Sequence, residues 1–315
     1  MNTPLRDQRG SAWQSFVESW RFSKFDLGWA KCLWAYWVGH TIPYRPAPAH
    51  FTMAKQATVA LVGDWGTGTP EAYKVMGQIA QFKPHIVIHL GDIYYSGTKR
   101  EIQQRFLTPL LASLTGEEYI FSLCGNHDVY SGGAGYYWLV DKLGQSSSHF
   151  CLDNGDLRLV AVDTGHSDYN PISHEHICIH DEEAAWARAK IEGRKTIILS
   201  HHQPFSAYEP TNNGLISQLG TKMAAWFGGH EHRLAIYEPY KGVNKYRCVG
   251  AGAVPELVSE GYFKQNDAGP VAKTITYGDN GVAYKHSFAI LKINGPEVWA
   301  EYYDEDGRRL FMESI

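Results

Sequence analysis

The sequence is poor in cysteine, and its cysteines form no recognisable metal-binding or disulfide pattern. Only five of the 315 residues are cysteine, and they are scattered along the chain without a CxxC pair. An odd, scattered set favours reduced, buried thiols over a disulfide framework. Reduced thiols are typical of the cytoplasm, and we therefore expect a cytoplasmic protein.

The sequence also lacks a positive charge excess and a long hydrophobic run. Its formal net charge is -4, which argues against nucleic acid as a main partner and favours a small substrate. The most apolar stretch, residues 27–38, is interrupted by Lys31 and is shorter than the ~20 residues of a transmembrane helix. The first 26 residues contain three acidic residues and no signal-type apolar run, so we expect neither a transmembrane segment nor a secretory signal.

Tryptophan is concentrated at the N-terminus, where five of the ten tryptophans precede residue 38. Trp13, Phe16, Val17 and Trp20 follow the spacing of an amphipathic helix. The segment 27–38 is apolar nearly all round and must pack against another surface. A proline-rich run at 43–48 follows. We predict an N-terminal helical extension and linker over residues 1–50 and a catalytic domain over 51–315.

Three roles are open for this extension: packing on the catalytic domain, self-association, or binding at a membrane surface. A membrane-surface helix needs a basic polar face. Only Arg21, Lys24 and Lys31 would contribute to it. Packing or self-association is therefore the favoured interpretation, because soluble monomers seldom expose large apolar patches.

After residue 56, short apolar runs alternate with amphipathic segments, a pattern that predicts an α/β fold. The predicted strands are 57–62, 85–90, 119–123, 157–162, 196–200 and 223–227, and the predicted helices are 70–82, 98–113, 181–192 and 214–221. Residues 286–313 are predicted to form strands separated by turns at 294–296 and 304–307.

Five of the predicted strands lead into residues that commonly bind metals. The sequences are GlyAsp at 63–64, GlyAsp at 91–92, GlyAsnHisAsp at 125–128, HisHisGlnPro at 201–204 and GlyHisGluHis at 229–232. The carboxyl ends of strands in open α/β sheets meet at one edge, so we expect these five loops to converge. A lone GlyAsp is an ordinary turn, but five such loops in order predict a metal site.

The ligand types and their number indicate which metals would bind. Carboxylate, amide and imidazole ligands together suit Fe, Mn or Zn. Seven or eight candidate ligands exceed what one ion can use, which favours a two-metal centre of the kind that catalyses phosphoryl transfer. Asp92 is the best candidate for a bridging ligand, because one carboxylate offers an oxygen to each ion.

These blocks resemble the calcineurin-like metallophosphoesterases over about residues 57–255. Most of that superfamily has AspXaaHis in the first block, whereas this sequence has Asp64, Trp65 and Gly66. GlyAspTrpGly, together with a tyrosine three residues after the bridging aspartate, is similar to the purple acid phosphatase branch, and Tyr95 stands at that distance from Asp92. The resemblance implies a four-layer α/β/β/α sandwich, here with an N-terminal helical extension.

The resemblance also implies a set of metal ligands. Metal one would be held by Asp64, Asp92, Tyr95 and His232, and metal two by Asp92, Asn126, His202 and His230. The choice of His202 over His201 follows the family spacing HisXaaPro and is left open. Iron is expected at the Tyr95 site, with Fe, Zn or Mn as the second ion.

The function that the resemblance implies is hydrolysis of a phosphate monoester by metal-bound hydroxide, with His127 as the catalytic proton donor. Two alternatives stay open: a phosphodiesterase acting on cyclic or dinucleotide substrates, and a non-catalytic interaction module with a vestigial metal site. Family members commonly have a further histidine after the HisXaaPro block, but Phe205 to Gly214 contain none. The identity of the acid therefore stays open as well.

Two other groups of residues could be functional sites but are better explained as ordinary solvent-exposed residues. His174, His176 and His180, with His166 nearby, have HisXaaHis spacing, but no strand ends converge there and solvated loop histidines are the favoured interpretation. Arg105, with Lys99 and Arg100, follows the Asp92 loop and is interpreted as part of a solvated helix face.

Overall fold

The computed structural model describes residues 26–173, 177–211, 214–258, 264–274 and 283–315. The helices are α1 Leu27–Val38, α2 Pro70–Gln81, α3 Lys99–Glu101, α4 Thr108–Ser113, α5 Ala134–Lys142, α6 Asp181–Ile191 and α7 Leu215–Leu219, and a π-helical turn, Ile102–Leu107, joins α3 to α4. The strands are β1 Ala49–Thr52, β2 Gln56–Val62, β3 Ile86–His89, β4 Tyr119–Ser122, β5 Phe150–Asp153, β6 Leu157–Ala161, β7 Lys195–Ser200, β8 Ala225–Gly228, β9 Leu234–Tyr237, β10 Tyr246–Val249, β11 Ala272–Thr274, β12 Ser287–Asn294, β13 Glu297–Asp304 and β14 Arg309–Ser314.

The strands form two sheets that pack face to face. The larger sheet has the order β1-β5-β6-β7-β8-β10-β9-β11, and the smaller has the order β14-β13-β12-β2-β3-β4. Buried side chains from both sheets, such as Leu61, Ile88, Leu159 and Leu199, form one central hydrophobic cluster. Helices α2, α4 and α5 cover the outer face of the smaller sheet, and α6 and α7 cover the larger one. The predicted four-layer α/β/β/α sandwich is therefore confirmed.

Strands β2, β3 and β4 pair in parallel, as do β6, β7 and β8. Strands β12, β13 and β14 extend the smaller sheet in antiparallel fashion through β12 against β2. The predicted turns at 294–296 and 304–307 connect these last strands. Both parallel groups therefore present the carboxyl ends of their strands to loops that carry the candidate ligands.

Several elements differ from the sequence prediction. Strands β1, β5, β9 and β10 and helix α5 are not predicted, and the predicted helix over 98–113 is divided by the π-helical turn. Helix α5 contains Gly135 and is buried along most of its length, so it shows no polar and apolar alternation. The predicted strand at 223–227 begins two residues later, at Ala225.

Helix α1 begins at Asp26, whose carboxylate accepts a hydrogen bond from the Gly28 N–H at 2.8 Å. The helix buries Gly28 and Cys32 but leaves Trp34 and Trp37 65% and 70% exposed. One side of helix α1 therefore packs against the rest of the protein, as expected, and the other side is exposed. The predicted helix around Trp13 lies outside the described residues, and self-association through the exposed face stays a prediction.

The proline-rich linker lies along the body of the protein. The Ile42 N–H donates to Gly132 O at 2.8 Å, and the Tyr44 ring stacks on His180 with centroids 3.9 Å apart. Strand β1 then pairs in parallel with β5. Because β1 spans residues 49–52, the predicted domain boundary after residue 50 falls inside a strand. Among the described residues, no helix is both long enough and apolar enough to cross a membrane.

The central cluster predicts where the fold is most sensitive to truncation of a side chain. Leu291 in β12 is fully buried between the sheets, whereas Leu111 at the surface is 66% exposed. Leu291→Ala should lower the free energy of unfolding by about 2–5 kcal/mol because it leaves a cavity, and Leu111→Ala should change it by less than about 0.5 kcal/mol. Denaturant titration measures both, and equal losses would contradict this view of the core.

Candidate metal centre

The five candidate loops converge on one edge of the sandwich, as predicted from the strand ends. Asp64 follows β2, Asp92 follows β3, Asn126 follows β4, and the histidines at 201 and 230 follow β7 and β8. Asp64, Asp92 and Asn126 are at most 2% exposed. Their side chains meet in two groups of ligand atoms, which we call set one and set two.

Set one consists of four oxygen and nitrogen atoms: Asp64 Oδ1, Asp92 Oδ2, the Tyr94 hydroxyl and His232 Nε2. The Tyr94 oxygen lies 3.0 Å from the Asp64 atom, 3.1 Å from the Asp92 atom and 2.8 Å from the His232 atom. The Asp64 and His232 atoms are 3.4 Å apart. Two carboxylates, a phenol and an imidazole therefore point at one small volume.

Set two consists of Asp92 Oδ1, Asn126 Oδ1, His201 Nε2 and His230 Nδ1. The His201 atom lies 2.9 Å from the Asn126 atom, 3.4 Å from the Asp92 atom and 3.3 Å from the His230 atom. His201 Nδ1 donates to Leu90 O at 2.9 Å, and burial lowers the pKa of His201 to about 3. This imidazole is therefore neutral, with the lone pair of Nε2 directed at the other ligand atoms.

Both sets fit a metal ion in their spacing and chemistry. Ligand bonds of about 2.0–2.2 Å place neighbouring ligand atoms roughly 2.8–3.6 Å apart, and the distances within each set fall in that range. Asp92 contributes one oxygen to each set. A buried concentration of carboxylates is costly unless cations compensate it, so the arrangement suits two cations joined by Asp92.

The backbone at the ligands is strained in a way that is typical of functional sites. Asp64, Asp92 and His230 all have positive φ angles, of 56°, 77° and 65°. Such a conformation costs a residue other than glycine on the order of 1–3 kcal/mol and persists only where the surroundings impose it. Three predicted ligands have this backbone conformation, which supports a functional role for this edge of the sandwich.

Glycine is required next to the Asp92 carboxylate. A Cβ atom on Gly125 would lie 2.1 Å from Asp92 Oδ1, and a Cβ atom on Gly229 would lie 2.9 Å from Asp64 Oδ2. Both contacts are shorter than carbon and oxygen tolerate. The glycines before the ligands therefore allow the loops to approach each other.

The structure does not bring the predicted ligand Tyr95 into set one. Its neighbour Tyr94 places a hydroxyl there, whereas the Tyr95 hydroxyl donates a hydrogen bond to Asp26. The hydroxyl groups of the two tyrosines therefore lie in different places, and only that of Tyr94 is within reach of the Asp64 and Asp92 carboxylates. The described geometry favours Tyr94 as the phenol ligand.

His201 and His202, between which the sequence left the choice open, have different surroundings in the structure. His202 Nδ1 lies 3.1 Å from Thr164 Oγ1, and its Nε2 lies 3.3 Å from Asp168 Oδ2. His202 is also grouped with His201 and His230 by distance, and its buried Nε2 makes no hydrogen bond among the described residues. It lies, however, farther from Asp92 and Asn126 than His201, which contacts both. We infer that His201 is the better candidate ligand and that His202 supports it.

Other residues position the ligands and were not found from the sequence. Asp128 accepts backbone N–H bonds from Asp92, Ile93 and Gly125 at 2.8–3.1 Å and so ties two ligand loops together. His232 Nδ1 donates to Glu256 Oε1 at 2.7 Å, which turns Nε2 towards set one. Asp128 belongs to the GlyAsnHisAsp block, whereas no local motif marks Glu256.

His127, the predicted proton donor, lies beside the two sets. Its Nδ1–H donates to Tyr95 O at 2.7 Å, and its Nε2 lies 3.8 Å from Asp92 Oδ2. It is not part of either ligand set. The Nε2 atom is therefore available at the edge of the site, where a leaving group would need a proton.

A cavity of about 380 Å³ opens over the site. Its lining includes Asp92, His127 and His230 from the ligand loops, Trp29 and Leu33 from α1, and Arg233 and Glu209 from the opposite side. The guanidinium of Arg233 lies 3.8 Å from the centre of the Tyr208 ring. The N-terminal helix is thus a wall of the cavity, which the sequence did not predict.

The described members of the histidine and basic groups that were set aside lie outside the two ligand sets. Among the described residues, the groups of histidine and acidic atoms close enough for a metal ion all lie in the site above, and His166 and His180 are not among them. His174 and His176 lie outside the described residues. Arg105 donates to Tyr94 O at 2.8 Å, so it is a loop anchor and only partly solvated.

Comparison with known structures shows several proteins of the same fold at low sequence identity. GAP50, the anchor in the inner membrane complex of Plasmodium, has a TM-score of 0.61 at 13% identity, with 82% of this chain and 88% of that protein covered. A dimetal phosphatase from Danio rerio has a TM-score of 0.50 at 13% identity, with 82% and 98% covered. These similarities concern the fold.

A purple acid phosphatase from yellow lupin seeds has a TM-score of 0.55 at 15% identity over 87% of this chain, which spans only 55% of the lupin enzyme. No curated protein matches the sequence. The sequence model of the calcineurin-like phosphoesterase family matches residues 57–234, which is more than half of the chain. The match includes all five ligand blocks, and the chain belongs to the calcineurin-like phosphoesterase family.

Proposed function

We propose that this protein is a two-metal phosphomonoesterase. The observation that carries the proposal is Asp92, whose two carboxylate oxygens face two separate sets of ligand atoms. A single ion would need only one of these sets. Two ions bridged by a carboxylate suit the hydrolysis of phosphate esters, and membership of the phosphoesterase family agrees with that chemistry.

In this proposal Asp64, Asp92, Tyr94 and His232 hold the first ion, and Asp92, Asn126, His201 and His230 hold the second. The phenol in set one favours Fe at the first position, and the second position suits Fe, Zn or Mn. When bound, the ions would supply positive charge for the phosphoryl oxygens and lower the pKa of a water molecule towards neutrality.

The residues around the ions bind the substrate and move the proton. His127 Nε2 is placed to donate a proton to the leaving alcohol, because Nδ1 is held by Tyr95 O. Arg233, which is 3% exposed and lines the cavity, is placed to pair with a negatively charged part of the substrate. The size of the cavity suits a small phosphorylated compound.

We further propose a cytoplasmic location, which rests on the cysteines. All five are free thiols, and four of them are buried. Burial raises the pKa of Cys32 to about 12, so this thiol is unreactive although it lies beside the candidate site. Nothing in this cysteine set requires an oxidising compartment.

Comparing p-nitrophenyl phosphate with its bis ester tests the proposed reaction. The protein loaded with Fe, Zn or Mn should hydrolyse the monoester with the higher kcat/KM. Asp92→Asn should lower that value by more than about 100-fold, since it weakens both metal positions. Asp181→Asn, on the exposed start of α6, is the control and should leave it unchanged. A clear preference for the bis ester would replace the proposal by a phosphodiesterase. A protein that retains no metal after incubation with Fe, Zn or Mn and shows no turnover would favour a non-catalytic role.

Metal analysis of two adjacent histidine variants tests the second ligand set. His201→Gln should reduce the metal content from two ions per chain to one, because it removes a ligand atom from the centre of set two. His202→Gln should retain both ions, since its ring contacts Thr164 and Asp168. Mass spectrometry of the metals after dialysis measures the ratio. Loss of metal in His202→Gln alone would reverse the assignment.

The visible spectrum of iron-loaded protein tests the tyrosine assignment. A phenolate bound to ferric iron gives a charge-transfer colour, which Tyr94→Phe should abolish. Tyr95→Phe is the matched control and should retain the colour, because its hydroxyl contacts Asp26 outside the ligand sets. Iron-loaded protein that loses its colour only in Tyr95→Phe would show that the other tyrosine is the ligand.

A further inference from the structure

Tyr95, which set one does not use, connects the N-terminal helix to the loop that follows β3. The side chain is 5% exposed. Its hydroxyl donates to Asp26, its ring packs edge-on against Trp29 with centroids 5.1 Å apart, and the Arg105 guanidinium lies 4.8 Å from the ring centre. The side chain is therefore held by contacts from helix α1 on one side and from Arg105 on another.

The start of helix α1 is built around this tyrosine. Asp26 uses Oδ1 to cap the helix at the Gly28 N–H and Oδ2 to accept the bond from the Tyr95 hydroxyl. A Cβ atom on Gly28 would lie 2.4 Å from the Tyr95 ring. Glycine inside the first turn of a helix is unfavourable by about 1 kcal/mol relative to alanine, and its presence here allows the ring and the helix to touch.

The backbone of Tyr95 is fixed as firmly as its side chain. Its N–H donates to Glu101 Oε1 at 2.7 Å, and its carbonyl oxygen accepts a bond from Cys32 Sγ of α1 at 3.4 Å. The same carbonyl oxygen accepts the 2.7 Å bond from His127 Nδ1. The helix therefore contacts both the side chain and the carbonyl group that orients His127.

The orientation of the His127 imidazole is fixed by its neighbouring rings and by its hydrogen bond to the Tyr95 carbonyl group. Its ring lies among the rings of Tyr94, Tyr130 and Trp29, with centroids 4.3, 4.7 and 5.6 Å away. These rings fix its plane, and the bond to Tyr95 O fixes which nitrogen carries the proton on that side. Nε2 is consequently the atom that faces Asp92 and the cavity.

We propose that helix α1 is a positioning element for His127, acting through Tyr95 and its carbonyl oxygen. The inference rests on the proposed function, in which His127 protonates the leaving group. It assigns Asp26, Gly28 and Tyr95 as positioning residues, and none of them touches substrate. The catalytic domain alone would bind its metals but would hold His127 less precisely.

The dependence of the hydrolysis rate on the leaving group distinguishes a positioning role of helix α1 from a general structural role. A poor leaving group such as an alkyl alcohol needs a proton in the transition state, whereas p-nitrophenolate leaves without one. A positioned acid contributes about 10²–10⁴-fold. Displacing it should therefore slow hydrolysis of an alkyl phosphate strongly and hydrolysis of p-nitrophenyl phosphate weakly.

Gly28→Ala tests the contact, with Gly77→Ala as the matched control. Gly77 lies in helix α2, and a Cβ atom there meets nothing within 4 Å. In the metal-loaded protein we expect Gly28→Ala to lower kcat for the alkyl phosphate at least 10-fold and for p-nitrophenyl phosphate less than about 3-fold. Gly77→Ala should alter neither, and the metal content should be the same in all three proteins.

Asp26→Asn is a second variant for the case in which Gly28→Ala does not fold. Asparagine caps a helix as well as aspartate does, so this change retains the cap and weakens the bond to the Tyr95 hydroxyl. Asp26→Asn should also lower kcat more for the alkyl phosphate than for p-nitrophenyl phosphate, but by smaller factors than Gly28→Ala. On a His127→Ala background, either variant should have no further effect, because the group that it positions is gone.

The nitrogen-15 spectrum of His127 in the zinc-loaded protein provides a readout that does not require activity. Wild type should show Nδ1 protonated, and Gly28→Ala should shift or broaden that resonance while Gly77→Ala leaves it in place. An unchanged resonance, equal slowing of both substrates, or an undiminished effect on the His127→Ala background would overturn the proposal. Wild type without turnover but with the expected resonances would refute the proposed function and leave the positioning role supported.

Discussion

The structure depends on the requirement that several negative and neutral ligand atoms share one small volume at the base of the cavity. The buried carboxylates of Asp64 and Asp92 both contact the Tyr94 hydroxyl, and the histidines of the two ligand sets lie around them. Such an arrangement is stable only when positive charge compensates it. The strained backbone at Asp64 and Asp92 and the glycine contacts at Gly125 follow from the same requirement, because ordinary loops could not bring the atoms close enough.

Most of the fold and of the ligand blocks could be predicted because they are local features of the sequence. Apolar runs end in glycine followed by Asp, Asn or His, and parallel strands bring those ends to one edge. The choice within TyrTyr and within HisHis is not local. Strand β7 is buried on both faces, so no alternation of polar residues shows which histidine turns towards the edge. Glu256 and helix α1 join the site from distant parts of the chain, and no motif marks them.

The two adjacent tyrosines of the loop after β3 make different contacts. Tyr94 turns inward, where burial and the neighbouring Asp64 and Asp92 carboxylates raise its pKa well above the usual range. It therefore stays a neutral phenol until a cation displaces its proton. Tyr95 turns outward and joins the loop to the N-terminal helix. The loop after β3 thus contains the proposed bridging ligand Asp92, the phenol of Tyr94 and the carbonyl oxygen that accepts a hydrogen bond from His127.

Strand β1 has a consequence for any shortened form of this protein. It is the last strand of the larger sheet and pairs along its whole length with β5, through Ala49 opposite Phe150 and Thr52 opposite Asp153. A chain that began at residue 51 would lose half of this strand and leave the backbone N–H and C=O groups of β5 open. Unpaired strand edges bind the edges of other molecules. The segment before residue 53 is therefore part of the sheet itself, and a shortened form of the protein would have to keep residues 49–52 to satisfy the backbone of β5.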